Sequence, residues 1–208
     1  MKNVLPGFKR SMFVTLAWLG SMVLLPLILL VLTALQLRWA EILQVISSQR
    51  VIASLMLSFE MAAIATLINV VFGFLLAWSL VRYDFPGKNI INALVDLPFA
   101  LPTAVAGIAL ASLYAPSGLL GQWLNHLGIQ LAYTPGGIAI AFIFVSLPFI
   151  VRAIQPVLAN LDPGYEEAAH ILGASKFTIL RKVIIPAVLP ALIGGAGMGF
   201  ARSLGEYG

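Results

Sequence analysis

Long apolar runs alternate with short polar breaks along this chain, and the runs set its plan. A helix needs roughly 20 apolar residues, rising about 1.5 Å each, to cross a membrane. Five segments meet that requirement. The first lies within 12–37 and the second within 51–81, ending at Arg82. The third lies within 90–115 and is interrupted by Pro98 and Pro102. The fourth lies within 135–158, with Arg152 near its end, and the fifth begins near Pro186 and runs to about Leu204. The longest polar interruption after residue 135 is Tyr165–Pro190, YEEAAHILGASKFTILRKVIIPAVLP, set between two strongly apolar runs.

Composition agrees with a lipid setting. The 208 residues are 61% hydrophobic and 10% charged, against about 25% charged in a soluble domain. Their mean hydropathy is +1.01. The fold class is therefore an all-α polytopic membrane protein in the lipid bilayer, forming a single transmembrane domain over 1–208. Lys2, Lys9 and Arg10 resemble a signal-peptide n-region. The uncharged run from Ser11 to Leu37 is too long for an h-region of about 7–15 residues, so it predicts a helix that stays. The net charge of +4 does not point to nucleic acid, because the cations sit in loops and form no basic face. With no cysteine, thiolate metal sites, disulfides and a Cys nucleophile are excluded.

Those loop cations orient the chain. With the N-terminus in the cytoplasm, the inside segments carry nine: Lys2, Lys9, Arg10, Arg82, Lys88, Arg152, Lys176, Arg181 and Lys182. The outside segments carry two, Arg38 and Arg50. The bias places the 159–185 connection in the cytoplasm. The 116–134 loop, with Pro116, Gly118, Gly121 and Gly128, reads as short helix and turn on the outer surface. RYDFPGKN, 82–89, is a tight turn around Pro86-Gly87 and lacks the upstream glycine of a P-loop. No other stretch fits one, so ATP binding by that motif is not expected here. An odd number of spans puts the C-terminus outside, near Arg202 and Glu206, and a final helix is expected to be missing.

Within the cytoplasmic connection, Asp162-Pro163 is a helix start, with Asp as N-cap and Pro at the first position. Glu166 and Glu167 follow in the first turn, where the helix dipole favours anions. Ala169 and Gly173, four apart, are expected to share a small-residue face that another backbone could approach. Gly173 closes this helix and Ser175 caps a second one, which carries Lys176, Arg181 and Lys182. Pro186 then starts the fifth span. The residues alone support two readings: a solvated connection, or a surface that a partner grips.

Other candidates also carry two readings. The stretch Asp96-Leu97-Pro98 to Pro102 breaks the hydrogen-bond ladder early in the third span. It either lines the pathway or its inner gate, with Thr103 and Gly107, or it is a packing kink. Arg202 and Glu206, four apart, either present charge to a passing anion or form a structural pair. Glu60 reads as an interfacial residue. His126 and His170 fall on opposite sides and offer no metal site. No Ser/His/Asp set or carboxylate pair assembles on one side, so catalysis is not expected.

Glu167-Ala168-Ala169, three residues, Gly173, nine residues, then Val183-Ile184-Ile185-Pro186 resembles the EAA loop of ABC importer permeases. Val183 and Ile185 replace that pattern's Ile and Leu. The stretch RYDFPGKNIINALVDLPFALPTAVAGIAL, Arg82 to Leu110, resembles the sulfate/thiosulfate permeases, in particular their T subunit. The ending ARSLGEYG is similar too, although molybdate permeases share it. The resemblance covers nearly the whole chain. It implies a six-helix, MetI-like permease in a cell inner membrane, with five of the helices in this sequence. It implies a second permease (the W subunit), two ATPase subunits that bind the ATP, and a periplasmic sulfate- or thiosulfate-binding protein. Residues 166–169 and 173 would then form the coupling helix that enters a cleft on the ATPase. A molybdate or tungstate permease, or a membrane assembly protein that does not transport, are the alternatives.

Overall fold

The computed structural model describes residues 7–206, and every regular element among them is a helix. α1 (Phe8–Leu19) and α2 (Leu25–Leu35) run together through a π turn at Gly20–Leu24 as one apolar helix of 28 residues. α3 (Trp39–Ile46) follows. α4 (Gln49–Arg82) is a single helix of 34 residues. Then come α5 (Lys88–Val95), α6 (Leu97–Ala100), α7 (Thr103–Tyr114) and α8 (Leu119–His126). α9 (Pro135–Asn160) is followed by α10 (Pro163–Ile171) and α11 (Lys176–Ile179). A second π turn, Leu180–Ile184, leads into α12 (Ile185–Leu204). Among the described residues, four helices are long and apolar enough to cross a membrane, or five if the bent pair α7–α8 counts as one crossing.

Two expectations are corrected by this arrangement, both at prolines. The segment 90–115 is not one broken span. Pro98 sits in the first turn of α6, and Leu101 is extended (φ −91°, ψ 134°) ahead of Pro102, as the ring of a following proline demands. Pro102 then opens α7, whose 12 residues reach only about 18 Å. The candidate crossing is instead α7 with α8, bent by 43°.

The fifth span does not start at Pro186. Lys176–Leu204 is one continuous helix of 29 residues, so α11 is its first turn and not a separate helix under the membrane. A proline inside a helix lacks a donor and pushes its ring at the carbonyl four residues back. The π turn widens the helix just before it, and Ile185 N–H reaches back to Leu180 O. The same device precedes Pro26, where Leu25 N–H bonds Gly20 O.

The chain forms two compact units, 1–54 and 55–208, divided within α4. In the first, no residue of α1, α2 or α3 is buried. In the second, α4, α9 and α12 pack around two apolar clusters. One joins Ala77, Leu80, Ile150, Ile154, Leu158, Ile184 and Val188. The other joins Met61, Ala62, Ala65 and Phe142. Between them Asn69 Nδ2 donates to Ile143 O at 2.8 Å and to Ser146 Oγ at 2.9 Å. Small residues allow this closeness. A Cβ on Gly73 would lie 2.9 Å from Ile150 Cγ2, and one on Gly195 would lie 2.9 Å from Ala153 Cβ. Leu80, Leu158 and Ile179 share the first cluster. The end of α4, the end of α9 and the start of α11 therefore meet at one end of the bundle.

Candidate functional site

That end carries the segment 162–185, and each punctuation residue has a specific task. Asp162 caps α10 by accepting from Gly164 N–H at 2.8 Å, with Pro163 in the first turn. Gly173 takes φ +80° and donates to His170 O at 2.9 Å, while Ala174 N–H reaches Ala169 O at 3.0 Å. This pair of bonds is a Schellman motif, and its left-handed residue suits glycine. Ser175 caps α11 by accepting from Thr178 N–H at 3.2 Å.

α10 has a bound side and an open side. On the bound side, Glu166 Oε1 accepts from Arg82 Nη2 at 2.6 Å. Arg82 also donates to Leu161 O at 3.3 Å and lies 5.7 Å from the Trp78 ring centroid. Ala169 and Ala174 pack on the apolar cluster, and Ile179 is part of it. On the open side stand Glu167, Ala168, Tyr165, Ile171 and Leu172, the last two 85% and 87% exposed, with Phe177 beyond them. The expected face shared by Ala169 and Gly173 does not form. The helix ends before Gly173, which turns into the left-handed cap in open space, while Ala169 faces the protein's own core.

A second polar cluster joins α5 to α9. Arg152 Nε and Nη2 grip Asp96 Oδ1 and Oδ2 at 2.8 and 2.6 Å. Its Nη1 donates to Asn92 Oδ1 at 2.7 Å, and Nη2 donates to Asn92 O at 2.8 Å. Gln155 completes the set, accepting from Arg152 and donating to Asn92. Asp96 is thus held by a bidentate cation. Pro98 lies in the first turn of α6 and Pro102 just past its end, and between them Phe99 meets Phe149 edge-on at 5.0 Å. Thr103 is half-buried at the start of α7, and Gly107 faces open space.

Arg202 and Glu206 pair with each other, as their spacing predicts. Arg202 lies about 30 Å beyond Lys182 along the helix, far from α10. Glu60 is exposed and about 33 Å along α4 from Arg82. In the 83–87 turn, the hydrogen bond from Lys88 at 2.8 Å, and then its charge, hold the Asp84 carboxyl below its ordinary range. Sequence reasoning counted Arg82 and Arg152 only as orientation charges. The sign that they were pins was available, because cations at the edge of apolar helices require partners. Asn69, a lone amide inside an apolar run, was missed for the same reason.

Residues 69–208 match the family described as "Binding-protein-dependent transport system inner membrane component". The chain is 47% identical over 207 residues to the "Sulfate transport system permease protein CysT" of Escherichia coli (strain K12), covering 100% of this chain and 75% of that one. It is 48% identical over 207 residues to the Salmonella typhimurium protein of the same name, with the same coverage. The "Probable sulfate transport system permease protein cysT" of Prototheca wickerhamii is 47% identical over 184 residues, which is 88% of this chain and 72% of that protein.

Proposed function

Because the chain belongs to the family of binding-protein-dependent transport system inner membrane components, we propose that it is the T-type permease subunit of an ATP-driven sulfate or thiosulfate importer. The substrate class rests on the names of its relatives. The coupling role rests on one observation: Glu167 and Ala168 stand exposed on a capped helix whose other side is fastened to the bundle. Such a helix can be pushed by a partner without being peeled away. In this reading 159–185 is cytoplasmic, as is the N-terminus, and the open side of α10 enters a cleft on an ATPase subunit that does the hydrolysis. A second permease completes the pathway, and a periplasmic binding protein delivers the anion. The stretch from Asp96 to Pro102, with Thr103 and Gly107, lies along that pathway, and Arg202 and Glu206 sit toward its outer end.

Docking is tested by pull-down of the ATPase subunit with Ala168→Arg. This position is exposed and helical, so folding should persist while docking is lost. Gly173→Arg is a poorer probe, because φ +80° strains any side chain there. Undiminished docking by Ala168→Arg would remove the coupling-helix assignment. For the substrate, the assembled importer should support growth on sulfate as sole sulfur source. Rescue of molybdate-dependent growth alone would reassign the anion.

A further inference from the structure

Two adjacent glutamates open the motif, and the structure separates them. Glu167 is exposed. Glu166 turns the other way and holds the guanidinium of Arg82, the last residue of α4. The side chains are only 18% and 27% exposed, so solvent screens the pair less than a surface bridge. Among the described residues, this is the ion pair that joins α10 to a candidate membrane span. It spans 84 positions of sequence.

The contact geometry has a mechanical meaning. Arg152 grips Asp96 with two nitrogens, which fixes both distance and angle. Arg82 reaches Glu166 through Nη2 alone, and its buried Nε has no hydrogen-bond partner. A contact through one nitrogen fixes distance and leaves rotation free. The Trp78 ring, one turn back on α4, steadies the guanidinium at the end of that helix, and the same Nη2 also donates to Leu161 O at the joint between α9 and α10, where the pivot sits.

We propose that Arg82 and Glu166 are positioning residues forming a pivoting strut, which passes displacement of α10 to α4 and so links the ATPase stroke to the pathway. This rests on the coupling-helix reading above. Glu167 belongs to the docking contact, and Glu166 belongs to transmission.

The test uses the assembled importer in proteoliposomes, reading ATPase docking, ATP hydrolysis and sulfate uptake separately. Arg82→Gln and Glu166→Gln should each dock within about threefold of wild type, yet import at least tenfold less sulfate per ATP. The double variant should be no worse than either single one, since both remove the same contact. The exchange Arg82→Glu with Glu166→Arg should recover most of the ratio. Three outcomes overturn the strut: normal uptake per ATP in both single variants, losses that multiply in the double variant, or a docking loss in Glu166→Gln equal to that of Ala168→Arg. Failure of Ala168→Arg itself to impair docking would strike the coupling-helix reading and is read in a separate assay.

Discussion

The two sides of α10 differ in what they touch. The side with Glu166, Ala169 and, after the turn, Ala174 and Ile179 is taken up by Arg82 and the apolar cluster. The side with Tyr165, Glu167, Ala168, Ile171 and Leu172 is exposed. Large apolar residues on a lipid-facing span need no explanation, but on a polar connection they do. The contrast teaches that packed and exposed residues are divided by helix face and not by position along the motif. Substitutions on one side should affect assembly with a partner, and those on the other the protein itself.

The largest effect should come from the open side. Leu172→Asp should weaken ATPase binding by roughly 30-fold, the loss of a hot-spot contact of about 2 kcal/mol, while the unfolding transition in detergent stays put. A lowered transition with unchanged binding would reverse the assignment of faces. On the bound side, Ile179→Ala should cost about 2 kcal/mol of stability by leaving a cavity, seen in denaturant titration. Its folded fraction should still bind the ATPase normally. Gly173→Ala sits on the boundary, since it keeps the surface but puts a Cβ into the left-handed region, and about 1 kcal/mol should be lost. Amide exchange at positions 173 and 174 should rise with it.

The smallest effect concerns an exposed pair outside this contrast. Lys88→Met should return the Asp84 carboxyl to its ordinary titration, followed by NMR. Asp84 is lowered in the folded chain, so its contribution is present at neutral pH and fades as pH falls through the folded value. Docking should not respond. A docking change on acidification below the ordinary carboxylate range that disappears in Lys88→Met would tie this turn to the partner surface.

Much of this end of the molecule was legible from residues in order. Caps are local, and so Asp162, Pro163, Gly173 and Ser175 announced their roles through spacing alone. Hydrophobic runs likewise gave α4 and α9 within a few residues. What escaped was any feature set by contact between distant segments or by a change of helix type. Pro186 reads as a helix start, because the π turn that absorbs it leaves no mark in the sequence. Pro98 and Pro102 were correctly seen as breaks, but the two breaks leave α7 with only 12 residues, so that the candidate crossing there takes in α8 as well. The partners of Arg82 and Arg152 lie 84 and 56 positions away, beyond the reach of helical periodicity. For the same reason Ala169 was placed on the open side: spacing says which residues share a helix face, and only packing says where that face looks.

The absence of native cysteine permits a direct measurement of the division between faces. Single cysteines placed one at a time at 165–179 would be cross-linked to the ATPase subunit in the assembled membrane complex. The account predicts strong cross-links from Tyr165, Ala168, Ile171 and Leu172, and none from Glu166, Ala169, Ala174 or Ile179. Cross-links from the second set, or an even yield along the whole segment, would contradict it.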